Sequence, residues 1–289
     1  MANSMAAFET LAEASELNKH LKDERWRVVD CRFDLMRPEK GREAYLRAHI
    51  PGAVYADLNE DLSGSVGTDS GRHPLPDVDD LGATWGRLGI HSDTQVIVYD
   101  ESSGAIAARA WWLLRWLGHD RVALLDGGLR RWQALALPME TGAVSVREER
   151  FAPSPRHGRV ITTVELEAAC DAATAPRMFD ARDADRFTGD REPIDPVAGH
   201  IPGTSNMPFA GSLNEDGTWK TPAVLRDIWS SALGEHPEIP WGVMCGSGVT
   251  ACHLALSAVI AGFAEPRLYV GSWSEWIRDP RRAITSSAS

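Results

Sequence analysis

The sequence contains itself twice, and that constrains it more than any other feature. Val29-Asp30-Cys31-Arg32 is matched by Phe179-Asp180-Ala181-Arg182 at an offset of 150 residues. His49-Ile50-Pro51-Gly52 recurs as His200-Ile201-Pro202-Gly203 at an offset of 151. The run from Gly118 through Gly127 to Trp132 recurs from Gly262 through Gly271 to Trp276 at a constant 144. Three landmarks in one order at nearly one spacing mark a tandem duplication. A chain of 289 residues holds two domains of ordinary size. The reading places an N-terminal domain at residues 8–138, a C-terminal domain at 160–280 and a linker at 139–159. The linker is rich in Pro and Arg and has little hydrophobic periodicity.

Each copy reads as α/β. Trp26–Asp30, Gln95–Asp100 and Arg121–Asp126 are short apolar runs ending in Asp, as buried strands do. Between the last two, Ala105–Leu117 is long enough for three helical turns. The second copy repeats this with a strand at Pro240–Met244, a helix at Val249–Ala261 and a strand at Arg267–Val270. Strand, helix and strand in succession predict a mainly parallel sheet flanked by helices. Ligands of such sheets bind at the carboxyl ends of strands, which directs attention to the residues after Tyr99 and after Met244.

Composition narrows the function classes. Acidic residues outnumber basic ones 41 to 30, for a net charge of −11, so a nucleic-acid partner is disfavoured. The most apolar stretch, Gly242–Ala264, carries Ser247, Thr250, His253 and Ser257, which suits a helix buried in protein rather than in lipid. The first residues, MANSMAAFETLAEASEL, show no basic residue ahead of an apolar core, and the expected location is cytoplasmic. The four cysteines, Cys31, Cys170, Cys245 and Cys252, form no C-x-x-C pair and no disulfide framework. No metal and no cofactor are expected. Asp100 and Glu101 lack the nearby His or carboxylates a metal site needs.

Chemistry concentrates in Cys245-Gly246-Ser247-Gly248-Val249-Thr250, between a strand and a helix. A cysteine there sits in the field of the helix N-terminus, which favours a thiolate. Gly246 and Gly248 permit a tight turn that aims successive N–H groups inward as an anion nest. The plainer alternative for Cys245 is a buried cysteine in a glycine turn, against which the strand–Cys–Gly–x–Gly–helix context weighs. Cys252 reads as core filler within a helix, with a resolving thiol as the lesser reading, and Cys31 and Cys170 as structural. Copy one carries Asp100 where copy two has Cys245, so one copy is active and one silent. Arg182, Arg186 and Arg191 follow the first strand of copy two, where an arginine can grip a carboxylate as a bidentate fork. Arg186 is the first choice, Arg191 the second, and Arg182 is assigned to structure.

The tandem copies, the degenerate first loop and the Cys-Gly-Ser-Gly-Val-Thr-Ala run resemble the two-domain rhodanese-type sulfurtransferases, from about Phe8 to Asp279. The resemblance implies that Cys245 takes sulfur from a small-molecule donor as a persulfide and passes it to a thiol, thioredoxin included, or to cyanide. Gly246, Gly248, Val249 and Thr250 would cradle the sulfur. The uncharged loop resembles the 3-mercaptopyruvate branch; the thiosulfate branch carries Arg and Lys at the positions of Gly246 and Ser247. In the former, Ser247 and a histidine matching His49 are implied to relay a proton. His49 reads equally as a capping or core histidine, and no aspartate partner is placed for it. The segment after Arg186 is two residues shorter before His200-Ile-Pro-Gly than the mercaptopyruvate pattern, which leaves Arg191 unmatched.

Two other classes compete. A cysteine phosphatase needs an arginine closing the loop, and none follows Cys245 before Arg267. A non-catalytic binding module suits copy one but leaves the intact loop of copy two unexplained.

Overall fold

The computed structural model describes residues 7–101, 103–171, 176–235 and 240–286. They form two compact units. The first comprises the chain up to Leu62, Pro76–Arg156 and Glu215–Thr218; the second comprises Ser63–Leu75, His157–Asn214 and the chain from Trp219 onward. Compactness therefore departs from chain order in one respect that matters below: Ser63–Leu75, from the first half of the sequence, belongs to the second unit.

The first unit runs β1 (Leu11–Ala12), α1 (Ala14–His20), β2 (Trp26–Asp30), α2 (Glu39–Arg47), β3 (Val54–Tyr55), α3 (Val78–Arg87), β4 (Gln95–Tyr99), α4 (Ala107–Trp116), β5 (Val122–Leu125) and α5 (Gly128–Ala134). The second runs β6 (Val160–Ile161), α6 (Thr163–Asp171), β7 (Arg177–Asp180), α7 (Ala184–Thr188), β8 (Thr204–Asn206), α8 (Pro222–Leu233), β9 (Trp241–Met244), α9 (Thr250–Ile260), β10 (Arg267–Tyr269) and α10 (Ser272–Trp276). The sheets have orders β1-β5-β4-β2-β3 and β6-β10-β9-β7-β8 and are parallel throughout. The α/β class and the repeated parallel sheet are as the sequence predicts. No helix among the described residues is long and apolar enough to cross a membrane.

Burial explains the strand composition. Every residue of β4 is buried, and in β9 Gly242, Val243 and Met244 are buried. Strands covered on both faces need no polar alternation. The repeated landmarks now have physical causes. In each copy an arginine two residues past a strand-terminal Asp folds back on it: Arg32 on Asp30 and Arg182 on Asp180, by two side-chain nitrogens each. Each then reaches a main-chain oxygen just ahead of the His-Ile-Pro-Gly turn, Ala48 O at 2.7 Å and Gly199 O at 2.7 Å. Gly52 and Gly203 close those turns with φ of +75° and +80°, a conformation that favours glycine.

Candidate active site

The site is built at the carboxyl end of β9. Cys245 follows the strand and is almost wholly buried. Its carbonyl accepts the N–H of Trp273 at 3.0 Å, and the Gly246 carbonyl accepts the N–H of Ser274 at 2.8 Å. The opening residues of α10 therefore pin the first two carbonyls of the loop. Gly248 donates its N–H to Cys245 Sγ at 3.1 Å. Glycine is required at 248 on two counts: φ is +76°, and a Cβ would stand 2.5 Å from Val270 O. Val249 occupies the cap position of α9 with no side-chain cap, and Thr250 opens the helix. Where sulfur carries negative charge, the loop is arranged to donate to it.

Ser272 anchors the nucleophile's own backbone. Its hydroxyl accepts the Cys245 N–H at 3.1 Å and donates to Tyr269 O at 2.8 Å. Its φ is +54°, unusual for a residue with a side chain. Gly128 stands at the matching place in copy one.

Ser247 meets a histidine, and it is His73. His73 Nδ1 lies 2.8 Å from Ser247 Oγ, and both residues are buried. The expectation that His49 partners Ser247 is corrected. His49 Nδ1 lies 2.8 Å from Tyr45 O, its ring stacks on Tyr45 at 4.3 Å, and its main chain bridges to Glu140. All those contacts lie in the first unit. His200, its counterpart in copy two, does the same: Nδ1 is 2.8 Å from Phe187 O, the ring stacks on Phe187 at 3.8 Å, and the main chain bridges to Thr285. A role repeated in both copies follows from the fold of the copy rather than from catalysis in one of them.

The arginines divide as follows. Arg182 is spent on Asp180 and Gly199 and lies against the Trp273 ring. Arg191 is exposed, and its backbone N–H is bound by Asp185 O. Arg186, on α7, reaches the loop: two of its guanidinium nitrogens lie 3.4 and 3.5 Å from where a Cβ on Gly246 would stand. It is held by Glu192 through Nε at 3.0 and 3.1 Å and by Asp195 through Nη2 at 2.9 Å. Arg72 reaches the same place, with Nη2 at 3.0 Å from that Cβ position and Nη1 bound to the other oxygen of Asp195. Burial pushes the Asp195 carboxyl up, against the pull of both guanidiniums. Burial acts on Glu192 as well, but N–H groups of Asp195 and Ile194 and the Arg186 guanidinium outweigh it and hold that carboxyl low.

The other thiols are set apart. Cys252, fully buried in α9, donates to Gly248 O at 3.2 Å. Burial and the carboxylates of Asp30, Asp100 and Asp61 push the Cys31 thiol well above its usual range. Cys170 is half-buried and forms no disulfide.

Cys245, Ser247 and Arg186, singled out in the sequence, lie together here, and beside them stand His73 and Arg72, which the sequence reading does not single out. A signal was present. Residues 56–77, between β3 and α3, make a connection far longer than most, and unstructured loops of that length are usually functional. Within it, Gly71-Arg72-His73-Pro74 is a basic pair in an acidic chain.

The sequence matches the rhodanese-like domain family at residues 13–135 and again at 162–279. A Pseudomonas aeruginosa protein named "Probable 3-mercaptopyruvate sulfurtransferase" is 45% identical over 278 residues, 96% of this chain and 98% of that one. SseB of Mycobacterium tuberculosis, provisionally named a thiosulfate sulfurtransferase, is 39% identical over 265 residues, 89% of each chain. Among solved structures, SseA from Escherichia coli, described as having the rhodanese fold of 3-mercaptopyruvate sulfotransferases, superposes with a TM-score of 0.80. It is 33% identical, over 92% of this chain and all of that one.

Proposed function

Because the chain belongs to the rhodanese family and is a sulfurtransferase carrying two copies of the domain, we propose that its donor is 3-mercaptopyruvate and its sulfur carrier Cys245. The Cys245 thiolate attacks the donor sulfur. The carbon–sulfur bond breaks, its electron pair passes to the donor carbon as pyruvate enolate, and Cys245 is left as a persulfide. Ser247 and His73 relay the donor's thiol proton to the enolate, which leaves as pyruvate. A thiolate acceptor, thioredoxin included, or cyanide then attacks the terminal sulfur. The S–S bond breaks and the Cys245 thiolate returns. Gly246, Gly248, Val249 and Thr250 form the cradle, and Arg186 takes the donor carboxylate. Arg191, exposed, is a weaker choice for that task. The first copy, with Asp100 in place of the thiol, does no chemistry. A cytoplasmic setting is part of the reading, supported by four cysteines that form no disulfide.

One observation carries this reading: Ser247 and His73 are in hydrogen-bond contact at 2.8 Å, two residues from a cysteine whose sulfur accepts a loop N–H. Thiosulfate needs no such relay, since its sulfur leaves sulfite without a carbon to protonate. Charge agrees with it. Glu192 and Asp195 offset Arg186 and Arg72, so the cluster suits a monoanion better than a dianion. The second reading, a thiosulfate sulfurtransferase, is favoured by the two guanidiniums gathered over Gly246. Sulfur transfer to cyanide from each donor in turn decides between them. Intact-mass analysis after donor treatment is expected to show one added sulfur, mapped to Cys245; sulfur on Cys252 instead would overturn the assignment.

A further inference from the structure

We propose that Arg72 is a donor-binding residue, which with Arg186 grips the anionic group of the sulfur donor over Gly246. The identity of that donor rests on the reading above; the cation pair does not. Arg72 has a fixed root. Gly71 packs so closely that a Cβ there would lie 2.6 Å from Gly271 O and 2.9 Å from Ser274 Oγ. The N–H of Arg72 donates to Ser274 Oγ at 3.1 Å, the N–H of Gly71 to Glu275 at 3.3 Å, and Arg278 Nε to Ser70 O at 3.3 Å. These partners begin with the same turn of α10 that holds the carbonyls of Cys245 and Gly246. Arg72 and the nucleophile are thus registered on one piece of scaffold.

The guanidinium is only partly spent. Nη1 binds Asp195, while Nε is buried with no partner and Nη2 hangs over Gly246. Arg186 likewise keeps Nη1 on the loop side after Glu192 and Asp195 have taken Nε and Nη2. Two like charges would separate if left alone. Asp195 accepts from both, one on each oxygen, and holds them at one place. Gly246 completes the arrangement by having no side chain where the guanidiniums lie. Planar forks over the residue that follows Cys245 suit a carboxylate or similar oxyanion carried a few atoms from the donor sulfur. In this chain the cation that the thiosulfate-type pattern carries within the loop arrives from a separate segment instead.

The test uses two small alkylating probes of like shape on the full chain, iodoacetate and iodoacetamide. In both, Cys245 sulfur displaces iodide, and only the first is an anion. Rates at Cys245 are read by peptide mass for wild type, Arg72→Gln and Arg72→Lys. Arg72→Gln is expected to lower the iodoacetate-to-iodoacetamide ratio by about tenfold, as loss of a nearby charge requires. Arg72→Lys is expected to retain most of the ratio. An unchanged ratio in Arg72→Gln, or equal slowing of both probes, overturns the proposal, since a merely structural residue does not distinguish the probes. So does an equal fall in Arg72→Lys. With mercaptopyruvate, Arg72→Gln is expected to raise KM more than it lowers kcat. A wild type inert to mercaptopyruvate whose probe ratio still depends on Arg72 would overturn the donor and leave the cation pair standing. Normal mercaptopyruvate turnover with an indifferent probe ratio would do the reverse.

Discussion

The loops after β4 and β9 share one frame and hold different anions. In copy one, Leu129 and Arg130 donate to the carbonyls of Asp100 and Glu101 at 3.0 and 2.8 Å; in copy two, Trp273 and Ser274 do the same for Cys245 and Gly246. Inside the frame the copies part. Asp100 turns its carboxylate into its own loop and accepts from Gly104, Ile106 and Ala107 at 2.9, 2.9 and 3.2 Å. Its nest is permanently filled. In copy two the ligand is the Cys245 sulfur, which receives the N–H of Gly248 and, on the function proposed, would take a second sulfur in place. On the function proposed, the same backbone is a structural plug in one copy and a reusable cradle in the other. The choice depends on whether the anion at the loop's first position is fixed or transferable.

The hardest test of that contrast removes the transferable anion. Cys245→Ser is expected to abolish sulfur transfer with the fold intact, because a hydroxyl of similar size keeps the packing and cannot carry sulfur. Residual turnover above the uncatalysed rate would show that the cradle is not where transfer occurs.

The next largest effect separates two histidines. His73→Asn is expected to lower kcat for mercaptopyruvate by about a hundredfold, the scale of a lost proton relay. His49→Asn is expected to leave kcat within twofold and to cost about 1–2 kcal/mol of stability, since it breaks a buried hydrogen bond and a ring stack. If His49→Asn slows turnover as much as His73→Asn, the symmetry argument from His200 fails. A third position refines the picture. Ser272→Gly removes the left-handed strain but also the hydroxyl that accepts the Cys245 N–H, so it is expected to restore the copy-one backbone and slow persulfide formation about tenfold. Unaltered loading of Cys245 would leave that hydroxyl a local tie.

What the sequence made legible follows from how each feature is encoded. Strand β9, the Cys245 loop and helix α9 are contiguous, so local pattern was enough. Arg182 could be assigned to structure because Asp180 lies two residues away. His73 could not be found in this way. It stands 174 residues from Ser247, in a segment of the first half of the sequence that packs into the same compact unit as Ser247, and no periodicity encodes such a contact. As a site residue His49 enters only through the family resemblance, and its recurrence as His200 with the same contacts argues for a shared structural task.

Donor choice is a smaller effect. Mercaptopyruvate is expected to exceed thiosulfate in kcat/KM by at least about tenfold, or about 1.4 kcal/mol of transition-state binding. A Gly246→Arg, Ser247→Lys double variant tests the cause. A side chain at 246 must displace Arg72 Nη2, which stands 3.0 Å from its Cβ position. Mercaptopyruvate turnover is therefore expected to collapse, while the ratio shifts toward thiosulfate. A wild type that prefers thiosulfate would show that Arg72 and Arg186 outweigh Glu192 and Asp195.

The smallest effect on turnover belongs to Asp100. In Asp100→Asn the side chain keeps one oxygen, which can still accept from Gly104. Its amide nitrogen then faces the N–H groups of Ile106 and Ala107, donor against donor, in a site that is almost wholly buried. Two charge-assisted hydrogen bonds are lost and buried donors are left unpaired, a cost of about 1–3 kcal/mol to the first unit. Turnover is expected to stay within twofold, because no step of sulfur transfer passes through that loop. Thermal unfolding and kcat measured on the same preparation check both halves. A fall in kcat without a fall in stability would mean that the filled nest communicates with Cys245, and the division into a structural loop and a working one would have to be given up.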